Sequence, residues 1–458
     1  MKILFINAVD FSVEVESRYP SLGPAYLAAV LRARFGASEF RFRIIDRDIE
    51  TYLTSFRPDL VCISAVSQNY GLACKYAATV KKYGITVFTG GVHLSALPQT
   101  LSEDMDVGCI GEGEMTLTEL VAVLLKNGVP VPDDLASING IVYRNSGELR
   151  LTARREPVAN LDDLPFPARD LLNIGAHSYL FTSRGCPYRC TFCSSSRFWG
   201  KTRYFSAEYV VKEIEELTEN YGVKMISFFD DLFIGNRRRL QRIVELIEGN
   251  QRLEKVTFTC SGRANMITDD TVSLLKRMRI RSVGMGLESG CEKTLTYLKV
   301  DDISVQQNRD AVLRLERGGI AANASFVIGA PDETEEEIMQ TYRFIKDVPV
   351  ALFDVYVLVP YPGTPLWEYA LASGVVSESM DWSILNVNFY RNGRKTVLLS
   401  KIFDRKRMRR IYGKFMRLRF LHNMITVWKT PQMHDVLSYM VNKITETVHG
   451  CKSRRTGK

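Results

Sequence analysis

Short apolar runs alternate with amphipathic stretches along residues 1–127 of the chain. Runs rich in β-branched and aromatic residues predict strands, and apolar positions at helical spacing predict the helices between them. The predicted strands are 2–8, 40–46, 60–65, 86–89 and 107–110, and the predicted helices are 22–35, 72–83, 93–101 and 115–125. Alternation of this kind implies parallel crossovers and therefore an open, doubly wound α/β sheet.

A second alternating series begins at Ser178 and predicts a second domain. Its predicted strands are 178–183, 225–231, 257–262, 282–289, 321–329 and 351–359. Six repeats, without the length for eight, predict a partial, open (βα)6 barrel. A predicted hairpin at 141–151 and a proline-bearing stretch separate the two series. The predicted organisation is a sheet domain at 1–135, a hairpin and linker at 136–177, a barrel at 178–398 and a basic helical extension at 399–458.

Composition agrees with a chain that has two hydrophobic cores. The chain has 458 residues, of which 46% are hydrophobic and 24% charged, which is enough to bury two substantial cores. We see no signal peptide and no long uncharged apolar run, and the nine cysteines are scattered apart from one group of three. We therefore expect no disulfide framework and a location in the reducing cytoplasm.

The group of three cysteines, Cys186, Cys190 and Cys193, follows a predicted strand. The spacing CxxxCxxC can place three thiolates around an iron–sulfur cube and leaves one iron without a protein ligand. A structural zinc site normally needs a second Cys or Cys/His pair within about twenty residues, and none follows. Three free thiols packed near a turn are the other alternative. Gly185 and Pro187, which open the run, favour a ligand loop.

This run resembles the cysteine motif of the radical S-adenosylmethionine (SAM) superfamily. The resemblance implies a [4Fe-4S] cluster whose open iron chelates the amino and carboxylate groups of SAM, with Phe192 beside the adenine. It also implies an electron donor such as flavodoxin or ferredoxin. An oxygen-labile cluster of this kind agrees with a reducing compartment.

The predicted strands of the second domain end in residues suited to a charged, nucleotide-like ligand, at the edge where barrel chemistry is built. By resemblance, Asp230 or Asp231 binds the ammonium group of SAM and Glu288 binds its ribose hydroxyls. Arg263 can reach the SAM carboxylate through a bidentate fork, and Gly329 allows close approach of the adenine. A helix N-cap is the alternative for the aspartates, and a surface position is the alternative for Arg263. The sequence does not decide which aspartate acts.

Small residues also follow the predicted strands of the first domain, where the ligands of doubly wound sheets bind. Together with residues 19–27, these segments resemble the cobalamin-binding domain fused ahead of many radical SAM enzymes. The resemblance implies cobalamin contacts from Leu22, Gly23, Ser64, Ala65, Val66, Gly90, Gly91, Val92, His93, Gly111, Glu112 and Gly113.

The chain departs from the cobalamin mutases in one respect. Residues 7–16 contain no histidine, whereas those enzymes place Asp-x-His-x-x-Gly after the first strand to bind cobalt. We therefore expect no histidine ligand to the lower face of cobalt from that site. For His93, a loop or polar-pocket position is favoured over a role as cobalt ligand.

The end of the chain is strongly basic. From Lys401 onward it carries 15 Lys and Arg against three Asp and Glu, whereas the whole chain has a net charge of +8. Helical spacing predicts one helix through Met408, Ile411, Tyr412, Phe415 and Leu418, and a second through Met433, Val436, Leu437, Met440 and Ile444. The alternatives are a helical cap on the barrel and a surface for an anionic bilayer or a phosphate-bearing substrate. No nucleic-acid-binding module is recognised, so no nucleic-acid partner is expected.

The function that follows is a cobalamin-dependent radical SAM enzyme that methylates an unactivated carbon or phosphorus centre of a small-molecule or lipid substrate. A cobalamin-dependent radical SAM cyclase, ring-contraction or rearrangement enzyme is an alternative within the same class. A methylthiotransferase is a further alternative, although the sequence after residue 400 shows no strand series for an RNA-binding barrel. The non-enzymatic alternative is a cobalamin-binding sensor.

Overall fold

A computed structural model of the chain describes residues 1–11, 21–300, 303–387, 389 and 395–426. Its strands are β1 Lys2–Asn7, β2 Arg41–Ile45, β3 Leu60–Ser64, β4 Thr86–Gly90, β5 Val107–Cys109, β6 Ile141–Asn145, β7 Glu148–Leu151, β8 His177–Leu180, β9 Ser183–Arg184, β10 Arg203–Tyr204, β11 Met225–Phe228, β12 Thr257–Gly262, β13 Ile280–Glu288, β14 Ala321–Ile328 and β15 Leu352–Val357.

The α-helices of this described part alternate with the strands. They are α1 Leu22–Phe35, α2 Ile49–Ser55, α3 Tyr70–Lys81, α4 Val92–Ala96, α5 Gly113–Asn127, α6 Pro132–Leu135, α7 Ser195–Trp199, α8 Ala207–Tyr221, α9 Arg237–Glu248, α10 Asp269–Arg277, α11 Glu292–Lys299, α12 Val305–Arg317, α13 Glu335–Asp347, α14 Pro365–Ala372 and α15 Arg405–Thr426.

The N-terminal sheet has seven strands in the order β2-β1-β3-β4-β5-β6-β7. Strands β1 to β5 pair in parallel, which confirms the predicted doubly wound sheet. The central strands are apolar on both faces because helices cover both sides, and Ile3 to Ile6 of β1 are all buried. The carboxyl ends of β3, β4 and β5 therefore lie along one edge.

The predicted hairpin belongs to this sheet and not to a separate linker. Strand β6 pairs antiparallel with β5, and β7 pairs antiparallel with β6. The short β5 would otherwise leave its backbone groups unpaired at a sheet edge. The N-terminal sheet therefore extends to Leu151 and not to residue 135.

The second sheet is the predicted six-stranded open barrel, in the order β15-β14-β13-β12-β11-β8. All its pairs are parallel, so the strand ends meet at one edge. The strand predicted at 178–183 is divided: β8 joins the barrel, while β9 pairs antiparallel with β10 outside it. Inside the barrel, His177 Nε2 lies 2.9 Å from Ser227 Oγ, which lies 2.7 Å from Thr259 Oγ1.

Helix α15 covers the free edge of β15, which confirms the first predicted C-terminal helix. Met408 and Phe415 are fully buried, and the ring centroid of Phe415 lies 5.4 Å from that of Tyr342. Near its end, His422 Nε2 lies 2.8 Å from the carbonyl oxygen of Val350. The second predicted helix, 433–444, lies outside the described residues.

A search of the described residues for membrane spans finds no helix with the length and apolar character that a crossing requires.

Candidate functional site

The cysteine loop connects β9 to α7, and a side chain of α7 fixes it by hydrogen bonds to its backbone carbonyl groups. Gly185 has φ +90, and a Cβ on it would lie 3.0 Å from Trp199 Cβ, so only glycine allows this turn. Arg197 Nη1 donates to the carbonyl oxygens of Cys193 at 2.7 Å and Cys190 at 3.3 Å. These bonds hold the loop on the short helix that follows it.

The three thiols differ in exposure, and one of them lies beside a guanidinium. Cys190 is buried, whereas Cys186 and Cys193 are half-buried. Burial raises the pKa of Cys186 and raises that of Cys193 to about 11, so a bound metal would be needed to hold them as thiolates at neutral pH. Arg263 Nη1 lies 3.7 Å from Cys190 Sγ, and its guanidinium lies 3.7 Å from the centroid of the Tyr188 ring.

The three thiols of the cysteine loop suit a cluster in which each cysteine binds a different metal ion. Among the described residues no three His, Cys, Asp or Glu side chains surround the place of a single ion. An iron–sulfur cube binds each cysteine on a different iron, so its three thiols need not converge on a single ion. Phe192 lies in this loop and is partly buried against the neighbouring core.

The two aspartates after β11 have different surroundings. Asp230 is buried, and its Oδ1 accepts from the Thr182 amide at 2.6 Å while its Oδ2 accepts from Ser183 Oγ at 2.8 Å. Asp230 thus holds the segment between β8 and β9. Asp231 is exposed and accepts from the Ser195 hydroxyl, just beyond the cysteine loop. Asp231 therefore lies beside the cysteine loop, while the oxygens of Asp230 already accept from the backbone and hydroxyl groups of Thr182 and Ser183.

Glu288 ends β13 in a left-handed conformation with φ +59. It is buried, and its carboxylate lies 3.0 Å from Lys299 Nζ. A Cβ on Gly286 would lie 2.1 Å from Glu288 Oε1, so a side chain at this position would displace the Glu288 carboxylate. Lys299 ends α11, which the sequence pattern did not predict, and its role as a partner of Glu288 was missed.

Gly329 follows β14 with φ +87. Its amide donates to Glu333 Oε2 at 2.6 Å, and a Cβ on it would lie 3.0 Å from Met408 Cε of α15. Glu333 is buried, and burial raises its pKa to about 7. The loop after β14 is therefore built around a carboxyl that the sequence did not single out.

A cavity of about 650 Å³ lies between the strand ends of the N-terminal sheet and α7. Four predicted residues line it: Val66, Val92, Gly111 and Glu112. The opposite side is formed by Arg197, Phe198 and Trp199 of α7 and by Tyr361, which follows β15. The sequence did not identify the three α7 residues because a five-residue helix gives no periodic signal. Helix α7 therefore follows the cysteine loop directly and also lines the cavity. The volume and the aromatic lining are typical of cofactor sites.

Other predicted residues support the cavity without lining it. Gly91 has φ +109, and a Cβ on it would lie 2.5 Å from the carbonyl oxygen of Ala65. Ser64 and Gly90 are register partners on β3 and β4. These residues bring the two strand ends close together, so that Val66 and Val92 reach the cavity.

The remaining predicted residues of the first domain lie elsewhere. Leu22 is buried against Tyr26 and Tyr179. Gly23 faces open space, and a Cβ on Gly113 would lie 3.2 Å from Leu27 Cδ2. The structure does not bring these three to the cavity lining.

His93 lies in the core of the N-terminal domain. Its ring is fully buried, with its centroid 3.8 Å from that of Tyr70 and 4.4 Å from that of Trp382. Its Nε2 lies 3.0 Å from Thr100 Oγ1, and burial lowers its pKa to about 3. The structure thus places His93 behind the strand ends and not in the cavity lining.

A buried ion network joins the N-terminal domain to the β9–β10 pair beside the cavity. Arg184 Nη1 lies 3.0 Å from Glu112 Oε1, and its Nη2 binds Glu114. Arg203 Nη2 lies 2.6 Å from Glu112 Oε1, and the Val158 amide donates to Oε2 at 2.7 Å. Burial would raise the pKa of Glu112, but the bonds from Arg203 and the charge of Arg184 outweigh it and lower the pKa.

Comparison with known proteins connects this geometry to a family. The sequence model of the radical SAM superfamily matches residues 180–345, and that of the B12 binding domain matches residues 10–121. An uncharacterized methyltransferase of Pyrococcus horikoshii is 34% identical over 384 residues, which are 79% of this chain and 81% of that protein. The chain belongs to the cobalamin-binding radical SAM family. It is an enzyme whose cofactors are a [4Fe-4S] cluster, SAM and cobalamin.

Solved structures of this family share the fold. The radical SAM methyltransferase TsrM of Kitasatospora setae, with tryptophan and a SAM analogue bound, is 18% identical with a TM-score of 0.67, over 82% of this chain and 77% of that one. The cobalamin-dependent radical SAM enzyme OxsB, with aqua-cobalamin bound, is also 18% identical, with a TM-score of 0.70 over 96% of this chain and 75% of that one. The domain order of this family is therefore that of the present chain.

Proposed function

We propose that the chain transfers a methyl group to an unactivated carbon or phosphorus centre of a small-molecule or lipid substrate. The observation that carries the proposal is the shared helix α7: it follows the cysteine loop directly, and Arg197, Phe198 and Trp199 on it line the cavity. A cluster and cobalamin held in these places would be near neighbours. The relationship also supports the proposal, since a cytidylyl-2-hydroxyethylphosphonate methyltransferase of Streptomyces wedmorensis is 25% identical over 80% of this chain and 78% of its own length.

Each cofactor has residues suited to hold it. Cys186, Cys190 and Cys193 would bind the cluster, and the cavity between the sheets would bind cobalamin. When bound, the reduced cluster supplies the electron that cleaves SAM, and cobalamin carries the methyl group to be transferred. No electron donor is identified, and flavodoxin or ferredoxin remains the expected class.

The side chains around the cysteine loop would orient SAM. Arg263 is buried beside Cys190 with its guanidinium over Tyr188, and a bidentate bond to the SAM carboxylate would use this fixed cation. Asp231 would accept from the ammonium group. Glu288 is held by Lys299 and would bind the ribose hydroxyls, while Gly329 leaves room for the adenine. Arg263 and Glu288 are buried, so orientation by these two groups would keep water from the reacting atoms.

The substrate would meet an aromatic surface at the barrel edge. Phe229 follows β11 and is 53% exposed, with its ring centroid 5.3 Å from that of Tyr179 and 6.2 Å from that of Phe181. Exposed aromatic rings at a strand-end cleft favour a substrate with an apolar or planar part.

A cyclisation is the second candidate, and one comparison favours it. An anaerobic magnesium-protoporphyrin IX monomethyl ester cyclase of Cereibacter sphaeroides is 25% identical over 80% of this chain and 63% of its own length. The two candidates use the same cofactors, and they differ in whether a methyl group is consumed.

Nucleoside products separate the candidates. The chain would be reconstituted without oxygen with iron, sulfide and hydroxocobalamin, reduced, and given SAM. Formation of both 5′-deoxyadenosine and S-adenosylhomocysteine is expected for methyl transfer. 5′-Deoxyadenosine without S-adenosylhomocysteine would favour cyclisation or rearrangement, and neither nucleoside would contradict both candidates. Once a substrate is known, a product heavier by one methylene confirms transfer.

A further inference from the structure

Helix α15 has one face on the barrel and one face toward solvent. Met408, Ile411 and Phe415 are buried against the barrel. At 3.6 residues per turn, Lys406 and Met424 fall on the opposite side of the helix from these three. The outward face is defined here as the exposed side of α15, which carries Lys406, Arg409, Arg410, Arg417, Phe420, Leu421, Met424 and Ile425.

The first half of the outward face is basic. Helix α15 contains eight Lys and Arg and no Asp or Glu. Arg407 and Lys414 pair with Glu335, and Arg419 pairs with Asp354. Four further cations form no ion pair within the part of the chain that the structure describes: Lys406, Arg409, Arg410 and Arg417. Their charge is available to an anionic partner.

The last two turns of the outward face are apolar. Phe420 is 65% exposed, Leu421 59%, Met424 58% and Ile425 71%. Four large apolar side chains in adjacent turns form a contiguous patch, and patches of this kind mark interaction surfaces. The patch begins about one helical turn after Arg417, so the charged and apolar surfaces are continuous along one helix.

We propose that the outward face of α15 docks on an anionic lipid surface with the helix parallel to the membrane plane. Cations near such a surface are attracted by its negative potential, and Phe, Leu, Met and Ile side chains insert at the boundary between headgroups and acyl chains. A nucleic-acid backbone would neutralise the same cations but would leave the four apolar side chains in water. The combination of both features therefore favours a bilayer.

The placement of α15 puts the apolar part of the lipid contact away from the cofactors. Met408 lies beside Gly329, after the carboxyl end of β14, whereas His422 lies beside Val350, before the amino end of β15. The helix therefore runs from the cofactor edge of the barrel toward its opposite edge. Docking through the apolar patch leaves the cavity and the cysteine loop at the other end of the strands.

Vesicle co-sedimentation of the full chain tests the proposal. We expect binding to phosphatidylcholine vesicles that contain phosphatidylglycerol, reduced binding at high salt, and little binding to phosphatidylcholine alone. The double variant Phe420→Ser with Met424→Ser and the double variant Arg410→Gln with Arg417→Gln are each expected to weaken binding at least about tenfold. Leu125→Ser and Arg238→Gln change exposed residues on α5 and α9 and are expected to bind like the parent.

Three results would overturn the proposal. The first is a parent chain that stays in the supernatant with anionic vesicles at low salt, which would mean that this face is covered in solution. The second is loss of binding in the two control variants to the same degree as in the α15 variants. The third is a concentration-dependent dimer that Phe420→Ser with Met424→Ser abolishes, because the patch would then be an interface between copies. Circular dichroism and thermal midpoints establish that each variant is folded.

Discussion

Arg184 Nη1 lies 3.0 Å from Glu112 Oε1, and this buried pair joins the cysteine loop to the cobalamin-binding domain. Arg184 precedes Cys186 by two residues, and Glu112 lines the cavity. The Arg184 guanidinium also lies 5.3 Å from the ring centroid of Trp199, on the far side of the same cavity. The start of the cysteine loop is thus held on the N-terminal domain by charges that solvent screens little.

Arg184→Met is expected to lower the free energy of unfolding by about 3–5 kcal/mol, because it leaves the buried Glu114 carboxylate without its partner and removes one of the two cations beside Glu112. Urea denaturation measures this change. Arg277→Met, which breaks the exposed pair with Glu248, is the matched control and is expected to have little effect. Equal effects of the two substitutions would contradict a structural role for the network.

The pH dependence of this effect has a definite sign. The pKa of Glu112 is lowered from its ordinary value of 4.5, so its stabilising contribution is present above that value and is lost as the pH falls through the folded pKa. The difference between the parent and Glu112→Gln should therefore shrink in acid.

Glu333→Gln is expected to have the opposite pH dependence. Because the pKa of Glu333 is raised from 4.5 to about 7, the folded chain binds a proton that the unfolded chain releases between these values, and stability falls as the pH rises. The Glu333→Gln variant does not lose stability in this way. Its free energy of unfolding, relative to that of the parent, should rise by up to about 3 kcal/mol between pH 4.5 and pH 8. Glu336→Gln, at an exposed position of the same helix region, should show no such trend. A constant difference across this pH range would contradict the raised pKa.

Gly91→Ala should disrupt the edge of the N-terminal sheet. Its Cβ would lie 2.5 Å from the Ala65 carbonyl oxygen, at φ +109, and we expect a loss of more than about 2 kcal/mol in unfolding free energy. Gly71→Ala is the control, since a Cβ on Gly71 meets nothing within 4 Å and a helical alanine stabilises by about 0.5–1 kcal/mol. Thermal denaturation of both variants decides between these expectations. Equal midpoints would show that the strand ends tolerate a side chain.

Trp199→Ala should weaken cobalamin binding about tenfold, because it removes an aromatic surface from the cavity. Equilibrium dialysis against hydroxocobalamin gives the dissociation constant without any catalytic assay. Tyr83→Ala, at an exposed aromatic residue remote from the cavity lining, should leave the constant unchanged. An unchanged constant for Trp199→Ala would show that cobalamin does not occupy this cavity.

Both sheets could be predicted from the sequence because their strands have strong local patterns. Helix α1, Leu22–Phe35, matches the predicted bounds. The division of 178–183 into β8 and β9 could not be predicted, because the break depends on Asp230, which binds Thr182 and Ser183 from 47 or more residues away. The pairing of β6 with β5 likewise depends on a free sheet edge that local sequence does not reveal.

The site was predictable where spacing along the chain carries the signal, as in the three cysteines. It was less predictable where partners come from distant segments. The residues that line the cavity from α7, and Lys299 beside Glu288, have no signature in their own neighbourhood. A small residue after a strand indicated the edge of the first domain at which the cavity lies, but it did not distinguish Val66, which lines the cavity, from Ala65, which supports it.

The central claim is that the loop of Cys186, Cys190 and Cys193 holds the cluster that cleaves SAM. The most direct test reconstitutes the parent and the Cys190→Ala variant without oxygen and measures bound iron together with 5′-deoxyadenosine. Cys74→Ala, at a half-buried cysteine outside the loop, is the matched control. We expect about four irons and 5′-deoxyadenosine from the parent and the control, with loss of both from Cys190→Ala. Parent-like iron content and nucleoside formation in Cys190→Ala would contradict the account.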